Sequence, residues 1–326
     1  MTPDVTVTRV LDTLHVLEVA IPFPMKTVTI TVDTASPVTL IDTGIYTPQA
    51  RAGLEAGLAQ LGLKFSDVQR VIVTHHHPDH YGMAGLLEEA GAEIFVLDIE
   101  AESGLAYWRD WDAWLPKLLA QMHANGLPPE MHGAQERFHR SVRGMVVPAK
   151  KWTLLRENGD VQLAGRDWQV LWLPGHADGH LGLWQPEESL LIAADAILPR
   201  ITPNIGLYAY SRPDPLADYL DTLDSLTKLA PQRAIVGHHG PVMSGVAERA
   251  QALRAHHAER LEFLKNAVGR APGSAWEMSR VMFPRPLNEA NLRFALAETL
   301  AHLEHLHLQG QLGRVEEGSV VRFIPI

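Results

Sequence analysis

Apolar and polar residues alternate along the first part of the chain. Residues 5–45 repeat a two-residue period, as in the stretch VTITV at residues 28–32, which is typical of half-buried antiparallel strands. The period changes at residues 48–61, where Leu54, Leu58 and Leu61 fall on one stripe and predict an amphipathic helix. Short apolar runs then recur between helical patterns, at residues 93–97, 169–173, 190–194 and 234–237. This order predicts a mixed α/β fold in which sheets and helices form a sandwich.

Residues 100–150 interrupt this rhythm. Trp108, Trp111, Trp114 and Leu118 recur at helical spacing, and a Pro-Pro turn follows at residues 128 and 129. An aromatic stripe at this spacing is typical of a helix that faces a core. The segment is long for a mere connection. We therefore expect a helical insertion that packs on the sandwich and provides a lid or wall beside a site there.

The character of the chain changes again near residue 246. Helical patterns rich in Ala, Leu, Arg and Glu lead to a hairpin pattern at residues 313–321. The helix predicted over residues 291–308 has leucines on one face, and we expect its polar face, with Glu298, His302, Glu304 and His305, to be solvated or to contact a second subunit. Helices followed by a hairpin resemble a winged-helix module. We divide the chain into a domain of residues 1–245 and a small helical, winged-helix-like domain of residues 246–326.

Composition narrows the range of functions. The chain has 326 residues, of which 46% are hydrophobic, and this suffices for a large core. It has no cysteine, so disulfides, thiolate ligands and a cysteine nucleophile are excluded. The formal charge of -10, concentrated in the first 245 residues, argues against a nucleic-acid partner. No export signal or run of transmembrane length is present, so we expect a soluble, cytoplasmic protein without membrane contact.

The most informative motif follows the apolar run at residues 71–73. Four histidines and one aspartate stand within six residues: His75, His76, His77, Asp79 and His80. Neutral imidazole and carboxylate are common ligands of zinc and similar ions. On an extended chain His75 and His77 project to one side and could share an ion, whereas Asp79 and His80, past the proline turn, would face a second ion. His76 points the other way, and we expect it only to pack.

Three further polar residues stand at the downstream ends of apolar runs. His176 follows the run at 170–173, Asp195 follows 190–194, and His238 follows 234–237. Strand ends are rigid platforms for ligands. Because the same design occurs four times in one chain, chance is a poor explanation for it. His239 directly follows His238, so the last position is open by one residue.

The order of these motifs, His75-x-His77-x-Asp79-His80 followed by His176, Asp195 and His238, resembles the metallo-β-lactamase fold superfamily over residues 8–245. The resemblance implies a four-layer αββα sandwich with a dinuclear metal site at one edge of the sheets. It implies that one ion is bound by His75, His77 and His176. The other ion would be bound by Asp79, His80 and His238, with Asp195 bridging the two.

Two more residues match patterns of the superfamily. Asp42, in LIDTG at residues 40–44, matches a carboxylate that supports a ligating histidine and thereby sets its tautomer. His180, in PGHADGH at residues 174–180, matches a second histidine of the third motif. We take His180 as a structural or supporting residue and not as a ligand.

The resemblance also implies a reaction class. Two divalent ions about 3.5–4 Å apart can share a water and activate it. A metal-bridging hydroxide is then the expected nucleophile, and Asp79 is the expected catalytic residue that carries a proton. Ligand sets of His and Asp accept zinc, iron and manganese. We expect two divalent ions and favour zinc, with iron and manganese as alternatives.

Features that the chain lacks reduce the range of possible substrates. Secreted β-lactamases of this fold commonly use a cysteine ligand and an export signal, and neither is found here. The 43 positions from Asp195 to His238 leave too little room for the large inserted domain of one nuclease subclass. The His/Asp set is similar to that of glyoxalase II-like thioesterases. Residues 201–220, in which Asp214 and Pro215 predict a helix start, resemble the lactamase-like protein two branch, which also includes nucleases.

We therefore expect a dinuclear metal-dependent hydrolase of a small ester or thioester. A metal-dependent endoribonuclease or phosphodiesterase is the alternative, and a lactonase, a β-lactamase and a metal-binding DNA regulator rank below it. Arg200, Tyr208 and Tyr210 follow Asp195 and are candidates for orienting the substrate. The tail helix has Arg293 as its only permanent cation, whereas helices that read nucleic acid need a basic face. An isologous homodimer is the commonest assembly of such enzymes.

Overall fold

The computed structural model describes residues 5–326, apart from the side chains of residues 289 and 290. Within these residues the strands form two large sheets, of seven and six strands, and one two-stranded sheet. Helices cover the outer face of each large sheet. The predicted αββα sandwich is thereby confirmed.

The first sheet keeps its seven strands in chain order. They are β1 (Thr6–Arg9), β2 (Leu14–Ala20), β3 (Thr27–Asp33), β4 (Thr39–Ile41), β5 (Arg70–Val73), β6 (Glu93–Leu97) and β7 (Thr153–Leu155). The pairs from β1 to β4 are antiparallel, and the pairs from β4 to β7 are parallel.

The second sheet has six strands. They are β8 (Asp160–Leu163), β9 (Arg166–Trp172), β10 (Leu181–Gln185), β11 (Leu190–Ala194), β12 (Arg233–Val236) and β13 (Val242–Met243). They lie in the order β13-β12-β11-β10-β9-β8, and within this sheet only β11 and β12 pair in parallel. The C-terminal hairpin consists of β14 (Leu312–Glu317) and β15 (Val320–Pro325).

The α-helices lie between the strands and in the C-terminal part. They are α1 (Pro48–Gln60), α2 (Pro78–Tyr81), α3 (Ala84–Glu89), α4 (Asp98–Glu102), α5 (Gly104–Arg109), α6 (Trp111–Ala124), α7 (Pro129–Arg143), α8 (Pro215–Leu229), α9 (Val246–Arg270), α10 (Ala275–Met282) and α11 (Glu289–Leu308). Among residues 5–326, none of these helices combines the length and apolar character that a bilayer crossing requires.

Apolar layers hold the sandwich together. The alternation in β2 serves two of them, because Leu14 and Val16 face the core between the sheets while Leu17 and Val19 face the helices. All four side chains are fully buried. Burial of each such side chain contributes about 1.5–3 kcal/mol to folding. On the outer face of the second sheet, α8 and α9 close a third layer around Tyr219.

Side-chain caps set where two of the helices begin. Thr47 accepts a hydrogen bond from the backbone N–H of Ala50 at 3.1 Å and starts α1. Asp214 accepts one from the N–H of Ala217 at 3.0 Å, with Pro215 in the first turn of α8. Both arrangements satisfy N–H groups that a helix leaves free at its start. The predicted helix start at Asp214 is confirmed.

The segment at residues 100–150 is helical, as expected, but its aromatic stripe spans two helices. Trp108 lies in α5 and Trp111 in α6, because the chain bends at Asp110 between them. Trp108, Trp111 and Leu118 are buried, so the stripe belongs to the core. The Pro-Pro pair stands where α7 begins.

The polar face of α11 is buried, so the expectation of a solvated or intersubunit face was wrong. Glu298, His302, Glu304 and His305 are at most 9% exposed. Each has a partner in this chain: Arg260 of α9 pairs with Glu298, His257 of α9 lies 3.0 Å from His302, Arg314 of β14 pairs with Glu304, and Asp214 pairs with His305. The helix lies between α7, α8, α9 and α10, and it therefore has neighbours on its polar side as well.

Candidate metal centre

The carboxyl ends of several strands meet at one edge of the sandwich. There β4 ends before Asp42, β5 before His75, β9 before His176, β11 before Asp195 and β12 before His238. Strands β4 and β5 are parallel, as are β11 and β12, so their carboxyl ends lie at the same edge of each sheet. The residues predicted as a site from the strand ends are thus brought together by the topology.

A glycine permits the closest of these approaches. A Cβ atom at Gly237 would lie 2.0 Å from Oδ1 of Asp195, far inside van der Waals contact. Only glycine therefore lets β12 end this close to the carboxylate. The residue that precedes Asp195, Ala194, has a φ of 41°, and this left-handed conformation lies at a bulge in the pairing of β11.

Three imidazoles form the first group of candidate ligands. Nδ1 of His77 lies 2.8 Å from Nε2 of His176 and 3.1 Å from Nε2 of His75. The three nitrogens all lie within 4.8 Å of one another and could hold one ion. His75 is fully buried, whereas His77 and His176 are partly exposed and border a cavity.

A second group combines two imidazoles and a carboxylate. Asp79, His80 and His238 each offer one atom within 4.8 Å of the others and could hold a second ion. Nε2 of His238 lies 3.3 Å from Oδ2 of Asp79. All three residues are buried. None of the groups found among the described residues includes His239, so the geometry favours His238.

Asp195 lies between the two groups. Its Oδ1 is 3.6 Å from Nε2 of His80, and its Oδ2 is 3.6 Å from Nε2 of His176 and 3.4 Å from Nε2 of His238. It also forms a candidate group with His75 and His80. One carboxylate therefore reaches both sets of nitrogens, which is the position that a bridging ligand needs.

Hydrogen bonds on the far side of the rings orient the candidate ligands. Nδ1 of His80 donates to Oδ2 of Asp42 at 2.7 Å. Nδ1 of His176 donates to the backbone carbonyl of Asn204 at 2.9 Å, and Nδ1 of His238 donates to that of Thr27 at 2.7 Å. Because each Nδ1 holds a proton for its acceptor, each Nε2 is the nitrogen left to bind a metal.

The two groups differ in their electrostatics. Burial lowers the pKa of His75 and of His77 well below the ordinary value, and neighbouring imidazoles lower them further. Burial also lowers the pKa of His176, although Asp195 opposes the shift. The first group therefore consists of neutral imidazoles, and neutral imidazole is the form that binds a metal.

Carboxylates dominate the second group. Burial would lower the pKa of His80, but Asp195, Asp42 and Asp79 together raise it well above the ordinary value. Burial likewise opposes the rise of the His238 pKa to about 10, which comes mainly from Asp195. In turn, His238 and His80 hold the pKa of Asp195 well below its usual range against the effect of burial. The carboxylates therefore keep a second proton on each of these two imidazoles in the metal-free protein, and a bound metal ion would take the place of those protons.

The donor set fits metal ions. Nε2 of His80, Nε2 of His238 and Oδ1 of Asp195 are buried and have no hydrogen-bond partner among the described residues. A buried polar atom without a partner costs about 1–3 kcal/mol. A cation at the point on which these atoms converge would satisfy all of them. Nitrogen and oxygen donors of this kind suit zinc, iron and manganese.

His180 lies beside the centre without joining it. Its ring stacks on that of His75, with centroids 4.8 Å apart. Both of its ring nitrogens are buried and lack a hydrogen-bond partner among the described residues, and burial lowers its pKa to about 3. His180 is therefore neutral and packs behind a candidate ligand, and its supporting role stays a prediction.

His76 does more than pack, contrary to the expectation. Its Nδ1 lies 2.6 Å from Oε1 of Glu100, and its backbone carbonyl accepts from the indole N–H of Trp108 at 2.7 Å. Glu100 is fully buried and also accepts from the backbone N–H of Gly179 at 2.8 Å. Glu100 was missed, although it follows the apolar run of β6 and so obeys the same strand-end rule as the ligands.

A narrow cavity opens beside His77 and His176. Its polar lining includes Ser103, Asp178, Tyr208 and Tyr210. The two tyrosine rings stack with centroids 5.6 Å apart, and the Tyr210 hydroxyl lies 3.4 Å from Nε2 of His76. Of the three residues predicted to orient substrate, Tyr208 and Tyr210 lie here. Arg200 is exposed and does not line this cavity.

Comparison with known proteins identifies the family of the chain. The sequence profile of the metallo-beta-lactamase superfamily matches residues 24–238. A second profile, for the metallo-beta-lactamase-like C-terminal domain, matches residues 261–326. The probable metallo-hydrolase YqjP of Bacillus subtilis is 29% identical over 317 residues, which cover 94% of this chain and 96% of that protein.

Two solved structures resemble the chain along almost its whole length. A metallo-beta-lactamase family protein from Thermus thermophilus is 40% identical with a TM-score of 0.88, over 97% of this chain and 99% of that one. A beta-lactamase domain protein from Burkholderia ambifaria is 28% identical with a TM-score of 0.84, over 98% and 94% of the two chains. The chain therefore belongs to the metallo-beta-lactamase superfamily and is a metallo-hydrolase.

Proposed function

We propose that the protein is a dinuclear metal-dependent hydrolase of a small ester or thioester. The observation that carries the proposal is the pair of candidate ligand groups that share Asp195, one of which borders a narrow cavity through His77 and His176. In this proposal His75, His77 and His176 hold one ion, and Asp79, His80 and His238 hold the other. Zinc is the proposed metal, with iron and manganese as alternatives.

Two divalent ions held there would lower the pKa of a shared water toward neutrality and polarise the carbonyl oxygen of the substrate. Asp79 is the proposed proton carrier. Burial would raise its pKa, but His80 and His238 keep it below the ordinary value, so the group is a carboxylate in the metal-free protein. Its Oδ2 faces His238 at 3.3 Å, which leaves Oδ1 for the transferred proton.

The hydroxyl groups that line the cavity are suited to a small substrate with a carbonyl group. Burial raises the pKa of Tyr208 and raises that of Tyr210 well above the ordinary value, so both hydroxyls keep their protons. The Tyr208 hydroxyl already donates to Oδ1 of Asn204 at 3.1 Å. The Tyr210 hydroxyl is the freer donor and is suited to a substrate oxygen. The narrow opening and the formal charge of -10 disfavour RNA.

The proposal is tested with metal-reconstituted protein and a panel of small thioesters, lactones and short single-stranded RNA. We expect thioester or ester turnover that falls at least about 100-fold in Asp79→Asn, because a positioned proton carrier contributes about 10²–10⁴-fold. Asp112→Asn, on the exposed side of α6, is the matched control and keeps full turnover. Cleavage of RNA without turnover of any ester would replace this proposal with the phosphodiesterase alternative.

A further inference from the structure

The loop after Asp195 contacts a candidate ligand through its main chain. The backbone carbonyl of Asn204 accepts the hydrogen bond from Nδ1 of His176 at 2.9 Å. The carbonyl thereby sets which ring nitrogen carries the proton, and it aims Nε2 at His77, 2.8 Å from Nδ1 of that residue. The position of this one carbonyl decides how well His176 is placed.

The C-terminal helix α11 holds the same loop at three points. The side-chain Nδ2 of Asn204 donates to Oε2 of Glu298 at 3.2 Å and to the backbone carbonyl of Phe294 at 3.4 Å. The backbone N–H of Leu207 donates to the carbonyl of Ala297 at 3.1 Å. Asn204 is therefore clamped between α11 on one side and His176 on the other.

Glu298 is itself held in place. It is 7% exposed and pairs with the guanidinium of Arg260 from α9. Arg249, from the same helix, donates to the carbonyls of Leu198 at 2.7 Å and of Ile201 at 2.8 Å, earlier in the loop. Helices α9 and α11 thus build a rigid support behind the segment that orients His176.

We propose that Glu298 is a positioning residue for the metal centre, which acts on His176 through Asn204 and makes the C-terminal helix part of the site. The proposal rests on metal ligation by His176, as proposed above. Removal of a group that hydrogen-bonds a metal ligand directly commonly changes metal affinity by about 10–100-fold. Glu298 acts through Asn204, so we expect an effect at the lower end of that range.

The test measures metal binding and not turnover. Affinity for Zn²⁺ is determined by competition with a chelator, and the visible absorption spectrum of the Co²⁺-loaded protein reports the ligand geometry. We expect Glu298→Leu to weaken affinity about 10-fold and to alter the Co²⁺ spectrum. Glu298→Gln keeps an oxygen that can accept from Asn204, and it should restore most of the affinity.

A matched control lies on the same helix. Glu304 is 9% exposed, and its carboxylate pairs with Arg314 of the C-terminal hairpin and not with the loop around Asn204. Glu304→Leu should therefore leave both the affinity and the Co²⁺ spectrum unchanged. A loss of metal in Glu304→Leu as large as in Glu298→Leu would show a general effect of destabilising α11 and would overturn the proposal.

A variant in the loop keeps the test decisive if Glu298→Leu does not fold. Asn204→Ala leaves α11 intact but removes the side chain that joins it to the loop, and it should weaken metal binding to a similar degree. The double variant, which combines Glu298→Leu and Asn204→Ala, should lose no more metal affinity than the more strongly affected single variant. Both changes break the same connection between α11 and the loop, so their effects should not add. If the single variants fold and keep the wild-type metal affinity and Co²⁺ spectrum, the positioning role of Glu298 is overturned, whereas the proposed function is not affected. A wild-type protein that binds no metal would overturn the proposed function, and this inference with it.

Discussion

Asp42 joins the ends of two strands to a candidate ligand through one carboxylate. Its Oδ2 accepts from Nδ1 of His80 at 2.7 Å and from Oγ1 of Thr74 at 2.8 Å, and its Oδ1 accepts from the N–H of Thr74 at 2.8 Å. Because an ionised carboxylate only accepts, Nδ1 of His80 must carry the proton. Nε2 of His80 is then the nitrogen left to bind a metal.

Replacement of Asp42 by asparagine should weaken metal binding about 10–100-fold. The amide nitrogen cannot accept a hydrogen bond, so one oxygen must replace two and the ring of His80 is oriented less well. The replacement should also lower the free energy of unfolding by about 1–3 kcal/mol, because a buried donor loses its acceptor. Chelator competition and denaturant unfolding measure the two effects.

Asp33→Asn is the control for this variant. Asp33 is similarly buried and accepts from the backbone N–H groups of Ala35 and Ala164, but it touches no candidate ligand. We expect a loss of stability without a loss of metal affinity. Equal metal affinity in Asp42→Asn and wild type would contradict the supporting role of Asp42.

At this scale the sequence predicts side chains better than main-chain contacts. Asp42, His75 and Asp195 could be located because each follows an apolar run, and a strand end is visible in a sequence. The acceptors of His176 and His238 are the carbonyls of Asn204 and Thr27. Every residue has such a carbonyl, so no residue type marks these two, and only the folded chain shows them.

Helix α4 links the motif after β5 to the third motif. Glu100 accepts at 2.7 Å from the backbone N–H of His76 with one oxygen, and at 2.8 Å from the N–H of Gly179 with the other. The fit is tight, since a Cβ atom at Gly179 would lie 2.1 Å from the backbone nitrogen of Glu100. The helix therefore fixes the relative positions of two loops that carry candidate ligands.

Glu100→Gln should lower the free energy of unfolding of the metal-free protein by about 1–3 kcal/mol, because the new amide would turn a donor toward an N–H group in a buried place. Denaturant unfolding measures the change. Glu102→Gln, exposed on the same helix, should stay within about 0.5 kcal/mol of wild type. A variant at Glu100 as stable as the one at Glu102 would refute the linking role.

Element patterns predicted which segments are helical better than where helices stop or what surrounds them. The spacing of Trp108 and Trp111 is helical, but spacing alone does not reveal the bend at Asp110. The polar face of α11 looked solvated because Glu298 and His302 are polar. It is buried because α9, β14 and Asp214 supply partners, and such long-range partners leave no periodic signal along the chain.

The whole molecule places its candidate centre at the seam between the two sheets. His75 and Asp79 follow strands of the first sheet, and His176, Asp195 and His238 follow strands of the second. Ions held there would join the two halves of the sandwich. The order of the motifs predicted this fold through its resemblance to a known superfamily, and the topology then brings the strand ends to one edge. The division of the chain at residue 245 stays a prediction.

The metal content of the reconstituted chain tests this account most directly. Elemental analysis after gel filtration should find about two ions per chain in the wild type, as a dinuclear site requires. His238→Ala should bind about one ion, since it removes a ligand of one group only. His239→Ala, at the neighbouring position outside both groups, should still bind about two. One ion or none in the wild type, or two in His238→Ala, would contradict the dinuclear centre.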